Sequence, residues 1–428
     1  MKEAGVPPGW MVMPGKECTH PEGASWVSYP RIIPRSEHSL SRNEVWPEAL
    51  KVIRRLSNFG YTAYLVGGGV RDLLLGRRPK DFDVATDATP EEVRKLFGNS
   101  RIIGRRFRLV HVYFKGGRIV EVSTFRRAPR PHELESMEDT RMANNFFGSP
   151  HQDVMRRDFT INALFYNPGD FTVIDYVGGW GDLRRRVIRS IGEPRARFAE
   201  DPVRMTRAVE FASRLGFTLH SQVEEAIREE GWRISRASPE RLKEEVLGIL
   251  LSGASGRAVK LMAELGLFQH LFPHSSEVIL PYLQDVVNLL VKADGSLNRE
   301  APYAPAQFLS LLFLPGIKAA KPFGGRVTLG EVMEEVFVVT EFLREDLPLP
   351  AHLLHSTREL LLGLWRVVKG PRARGARRFR ERNYFRAALD LFKVDTLAFK
   401  EDRSLLEPWM EEVRRRRKPP YRNHPRRR

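Results

Sequence analysis

The chain has 428 residues, with 70 Lys and Arg against 53 Asp and Glu, for a formal net charge of +17. That length allows two to four domains with real cores, and the basic excess points to a polyanionic partner, most simply nucleic acid, with a basic membrane-surface protein as the plainer rival. A single cysteine, Cys18, excludes an internal disulfide framework and a cysteine-based zinc site, and neither a signal-peptide pattern nor a run of about 18 apolar residues is present, so a soluble, cytoplasmic protein is expected.

Residues 1–43 mix Pro, Gly, Ser and charge without a period and are expected to be a disordered leader. From Val45 to Asn58 the apolar Leu50, Ile53 and Leu56 fall at helical spacing, with Gly60 to end the helix. Tyr64 to Val66 reads as a short strand entering Gly67, Gly68 and Gly69, and Val70 to Leu75 as one or two helical turns stopped by Gly76. Asp81 and Asp83 follow, two apart, so that in an extended segment both carboxylates point the same way. Glycines that admit backbone N–H groups to an anion, followed by paired carboxylates, have the make-up of a site for a metal-bound triphosphate.

Thr89, Pro90 and Glu92 spell a capped helix start, and Leu109 to Phe114 with Arg118 to Phe125 read as a hairpin around Lys115, Gly116 and Gly117. Glu121, in the second strand, either faces the two aspartates across a sheet or is a solvated strand residue; spacing leaves both open. Residues 126–152 are polar, basic and irregular, a length of loop that is usually functional or disordered. Arg156 and Arg157 then precede an apolar run, either as a solvated helix start or as phosphate contacts, because cations at a helix start do not complement its dipole. The run FTVIDYVGGWGDL then brings a strand and a glycine turn at Gly178 and Gly179.

From about Ile191 strands give way to long helical periods, so the fold class is α+β: a head with a small mixed or antiparallel sheet at 44–190, followed by an all-α neck at 191–255 and an all-α body at 256–400, with 401–428 as a helix end and basic tail. Glu200 to Phe217 is expected to be one helix carrying Asp201, Arg204 and Arg207 on one face. These are an ordinary ion-pair set or a base reader, in which an Asp oxygen accepts from an exocyclic amine while an Arg donates to the neighbouring ring nitrogen, a match to adenine and equally to cytosine. Helices are expected at 239–251, 258–267, 278–291, 329–344, 353–368 and 378–392, and a Pro- and Gly-rich loop or subdomain boundary at 298–325. Arg366 to Arg386 is densely basic, with Arg377, Arg378 and Arg380 as RNA contacts and Phe379, Tyr384 and Phe385 either as stacking rings or as core. The tail from Arg414 holds nine Lys or Arg and no acid; Arg414, Arg415, Arg416, Arg417 and Lys418 are expected to grip RNA without folding alone, the alternative being a solubility or targeting tail.

Four ordered stretches, LVGGGVRDLLLGRRPKDFDV, RRDFTINAL, EDPVRMTRAVEF and SPERLKEEVLGIL, resemble the bacterial class II nucleotidyltransferases, the poly(A) polymerases and CCA-adding tRNA nucleotidyltransferases, over about Glu44 to Leu250. The resemblance implies a nucleotidyltransferase head in which Asp81 and Asp83 hold catalytic magnesium ions, two being expected, and Glu121 is the third carboxylate. It further implies that Gly67, Gly68 and Arg71 contact the phosphates and sugar, that Arg157 and Asp158 bind the incoming nucleotide, and that Asp201 and Arg204, with Arg207 beside them, form the amino-acid template. ATP is then the substrate and an RNA 3′ end the acceptor. GRRFRLVHV, NNFFGS and the basic C-terminal extension are similar to the poly(A) polymerase branch, with CCA addition to tRNA as the alternative. Glu210 stands where the family usually has a further arginine after RAV, and Glu240 is closer to the CCA-adding pattern.

Overall fold

A computed structural model of the chain describes residues 30–104, 108–129, 133, 146–323, 326–399 and 406–417, the last with side chains described through Glu411. It divides into two compact units, Met1–Arg185 and Arg186–Arg428.

The first unit is built on an eight-stranded mixed sheet of order β1-β8-β7-β2-β3-β6-β5-β4. Its strands are β1 (Arg31–Ile33), β2 (Ala63–Val66), β3 (Asp83–Thr86), β4 (Ser100–Ile103), β5 (Leu109–Tyr113), β6 (Ile119–Thr124), β7 (Phe165–Asn167) and β8 (Thr172–Asp175). Every pairing is antiparallel except β3 with β6 at the centre, which is parallel because the chain leaves β3, builds β4 and β5, and returns. Along β5 and β6 every second residue is buried: Val110, Val112, Val120, Val122 and Thr124. Helices α1 (Pro47–Asn58) and α3 (Pro90–Leu96) pack on the sheet, so this half of it has one covered face and one open face. Helix α2 (Gly68–Leu74) follows β2 directly, α4 (Pro150–Val154) precedes the two arginines at 156–157, and α5 (Gly179–Arg185) closes the unit. The capping box at Thr89 forms as expected, with Glu92 reaching back to the cap. Others form at Ser41 with Glu44 and at Ser149 with Gln152.

Two expectations for this unit change. Order begins before residue 44, since β1 pairs with β8 and Ile33 is fully buried; residues 1–29 of the expected leader lie outside the described residues. Of the irregular stretch 126–152, residues 130–132 and 134–145 also lie outside them. The run after Arg157 starts no helix: it is a 3-10 turn, Thr160–Asn162, leading into β7.

The second unit is helical, but strands do not vanish at its start, because β9 (Val187–Ile188) pairs in parallel with β10 (Thr218–Leu219). Helix α6 (Pro194–Glu200) is followed by α7 (Val203–Leu215), which Gly216 ends at φ 73°, the left-handed conformation glycine adopts without a steric cost. The stretch expected as a loop at 298–325 contains the helix Ala304–Ala320, buried along most of its length. Its Pro305 falls in the first turn, where no backbone N–H is needed, and Pro315 is accommodated inside. The expected helix over 378–392 is two, Ala376–Arg380 and Phe385–Phe399. Phe379 and Phe385 are buried and pack on each other and on Trp409, so they are core and not a stacking surface. Trp409, whose Nε1 donates to Val367 O at 3.0 Å, anchors the helix Leu406–Arg417; Arg414 to Arg417 are thus helical, while Lys418 lies outside the described residues.

Candidate active site

The strand-to-helix turn after β2 is made by Gly67 at φ 72° and ψ −143°, a backbone conformation that side chains oppose. A Cβ there would lie 3.6 Å from Arg157 Nη1 and 3.7 Å from Asp83 Oδ2, so the glycine keeps the chain beside a cation and an anion at once. Asp83 opens β3, and Asp81 lies two residues before it, exposed and outside the strand. Glu121, whose position spacing left open, is the register partner of Asp83 across the parallel β3–β6 pair.

This crowding shows in the charge state. The Asp83 carboxyl is pushed up to about 7 by burial first and then by the negative charges of Glu121 and Asp81, with Arg157 opposing. Such an excess of negative charge is what a bound cation relieves, and the donors are the hard oxygens that magnesium takes. Among the described residues no three His, Cys, Asp or Glu side chains are gathered to hold an ion alone. Magnesium usually takes only one or two carboxylates and completes its octahedron with water and substrate phosphates, so Asp81 and Asp83 fit it.

Arg157 is held in place by its own helical turn: Nε and Nη2 donate to Asp153 Oδ2 at 3.1 and 2.9 Å, and Nη1 to Asn162 O at 3.3 Å, with the guanidinium over the Phe165 ring. Asp158 accepts from Phe159 N at 2.7 Å and from Asn162 Nδ2 at 3.1 Å. Arg71 is buried, bonded through Nε to Asp72 at 2.8 Å and through Nη1 to Asn162 Oδ1 at 2.6 Å, and its guanidinium lies against Gly68. Asn162 therefore ties the glycine turn to the segment carrying Arg157 and Asp158. Breaking that tie leaves a buried cation short of a partner, at a cost of about 1.5–3 kcal/mol.

In the second unit Asp201 does not share the face of α7 with Arg204 and Arg207. It stands at the corner between α6 and α7, in extended conformation at φ −147° and ψ 94°, because Pro202 starts the next helix. Both its oxygens are held by Arg241, at 3.0 and 2.8 Å. Arg204 Nη1 donates to Glu200 at 3.2 Å and Arg197 O at 3.3 Å, while Arg207 pairs with Glu245 at 3.6 Å. Glu210, the departure noted in the sequence, pairs with Arg214 one turn on. Arg377 and Arg378 are exposed and Arg380 is half-buried on the helix Ala376–Arg380.

Sequence reasoning missed Asn162, Asp153 and Arg241. Asn162 had a signal, as the one polar residue in the run Ile161 to Phe165. Arg241, forty residues from Asp201, had none in spacing.

Two family models match the chain: "Poly A polymerase head domain" over residues 63–189 and "Probable RNA and SrmB- binding site of polymerase A" over residues 216–279. The poly(A) polymerase I of Escherichia coli O6:H1 is 40% identical over 381 residues, covering 85% of this chain and 81% of its own. The CCA-adding enzyme of Geobacillus stearothermophilus is 41% identical over 224 residues, 52% of this chain and 54% of its own. Among solved structures, the CCA-adding enzyme of Bacillus stearothermophilus in complex with CTP superimposes with a TM-score of 0.64 at 30% identity, over 87% of this chain and 82% of that one.

Proposed function

Since the chain belongs to the family of bacterial poly(A) polymerases and CCA-adding enzymes, and is with them a nucleotidyltransferase acting on RNA 3′ ends, we propose that it adds adenylates from ATP, without a template, and releases pyrophosphate. The observation that carries the choice is extent: likeness to poly(A) polymerase I runs through 85% of the chain, and likeness to the CCA-adding enzyme through 52%. The second reading, CCA addition to tRNA, is favoured by the CCA-adding structure that superimposes on 87% of the chain, and by a template that suits cytosine as well as adenine.

In this reading Asp81 and Asp83 would hold magnesium, two ions being expected, with Glu121 as the third carboxylate, and that group would supply acidification of the primer hydroxyl and charge compensation for the leaving pyrophosphate. Gly67 and Gly68 let the triphosphate approach the backbone, Arg157 supplies a fixed cation to it, and Arg71 and Asp158 brace that pair through Asn162. The primer 3′ oxygen forms a bond to the α-phosphorus, the bond from that phosphorus to the bridging oxygen breaks, pyrophosphate departs and the hydroxyl proton goes to solvent. Asp201 accepts from the exocyclic amine and Arg204 donates to the ring nitrogen, Arg241 and Glu200 holding each at the required angle. The neck at 191–255 and body at 256–400 are part of the proposal, as are Arg377, Arg378, Arg380 and the tail as RNA contacts. So is a place in the cytoplasm, which a lone cysteine and an RNA substrate suit; no helix among the described residues is long and apolar enough to cross a membrane.

With magnesium, ATP and unstructured RNA, the protein is expected to extend the 3′ end, and Asp83→Ala to lose at least about 100-fold in rate while RNA affinity, read by fluorescence anisotropy, stays within about twofold. Transfer that survives Asp83→Ala places the chemistry elsewhere.

A further inference from the structure

Four residues stand in one register row across the centre and edge of the sheet. Asp83 on β3 pairs with Glu121 on β6, Glu121 with His111 on β5, and His111 with Arg101 on the edge strand β4. Residues paired directly across neighbouring strands share a face, with Cβ atoms about 4.5–5.5 Å apart. The row runs along the open face, since the residues alternating with it on β5 and β6 are the buried ones. His111 Nε2 lies 3.4 Å from Glu121 Oε2, and the Tyr113 ring stands edge-on to the imidazole with centroids 6.2 Å apart. Arg101 is exposed and has no ion-pair partner among the described residues. Ile103 and Ile119 fall on the same face by alternation, and both are exposed.

We propose that His111, Tyr113 and Arg101 form the seat of the primer's terminal nucleotides, an unpaired RNA 3′ end. This rests on the adenylyltransferase reading given above. Reaction geometry gives the direction: attacking and leaving oxygens lie roughly in line on opposite sides of the phosphorus. The glycine turn and Arg157 are on the β2 side of Asp83 and Glu121, so the pyrophosphate leaves there, and the primer lies on the other side, over β6, β5 and β4. That surface has the chemistry of a single-strand site: two rings and apolar side chains for bases, then a cation two strands beyond Glu121 for the phosphodiester behind the 3′ nucleotide. The carboxylates repel a phosphate at the near end of the row, and Arg101 attracts one at the far end.

The test measures initial rates with magnesium while short unstructured RNA and ATP are varied in turn, for wild type, Arg101→Ala, Arg101→Lys and, as a control on α1, Arg54→Ala. Arg101→Ala is expected to raise KM for RNA about tenfold, leave KM for ATP within about twofold and lower kcat by less than about threefold. Arg101→Lys recovers most of the loss, and Arg54→Ala matches wild type in both constants. Wild-type KM for RNA in Arg101→Ala, or a rise in KM for ATP instead, overturns the seat while the adenylyltransferase reading stands. A wild-type protein that transfers no nucleotide overturns that reading and the seat with it.

Discussion

Asp83 is where the residue-level argument is sharpest. Its carboxyl is pushed up to about 7 in the folded chain against an ordinary 3.8, so over the pH range between these values the folded state keeps a proton that the unfolded state has lost. Stability therefore falls as pH rises through that window. Asp83→Asn removes the effect: in EDTA, its melting temperature relative to wild type is expected to rise from pH 5 to pH 8, on a scale of roughly 2–4 °C per kcal/mol for a unit of this size. A difference that does not change with pH contradicts the assigned charge crowding. The glycine turn and the aspartate pair were legible in the sequence because their geometry depends on residues beside them. For Glu121 spacing left two readings open, since facing Asp83 requires a parallel return from β3 through β4 and β5 that no local spacing encodes. Arg71 is expected to contact the ligand; its burial and its bonds to Asp72 and Asn162, which no spacing encodes, add that it is fixed in place.

Among the elements, the corner between α6 and α7 is where a helical reading failed instructively. Spacing of three between Asp201, Arg204 and Arg207 implied one face, but Pro202 starts a new helix and leaves Asp201 outside it. The corner frees that carboxylate to meet the helix Pro239–Leu250, whose Arg241 holds it with two parallel bonds. In the proposed reading, bidentate pairing leaves the outer lone pairs of Asp201 to accept from an amine. Arg241→Ala is expected to raise incorporation of GMP and UMP relative to AMP about tenfold, or about 1.4 kcal/mol of lost discrimination. Unchanged discrimination beside a lowered melting temperature would make Arg241 a packing residue only. A similar lesson comes from Ala304–Ala320, where two prolines and a glycine read as a loop. Pro305 falls in the first turn, and Gly316 sits so close to Val278 that a Cβ would meet its backbone oxygen at 3.0 Å. Tertiary packing outweighed the local signal.

For the molecule as a whole, composition and order of motifs were informative where detail was not. The charge of +17 called for a polyanion, and the change from mixed sheet to helices near residue 190 falls close to the division into units at Arg185 and Arg186. The basic stretch after Arg366 shows the limit: Arg377 and Arg378 are exposed, but Phe379 and Phe385 belong to a core closed by Trp409, which hydropathy alone does not separate from a stacking surface. Overall architecture is shared by both branches of the family, so the choice between them rests on what the enzyme adds. Given magnesium, ATP and CTP together, and a tRNA lacking its terminal CCA, sequencing of the products decides it. The account predicts 3′ tails of adenylate alone, extending well beyond three residues; products that gain two cytidylates and one adenylate and then stop contradict it.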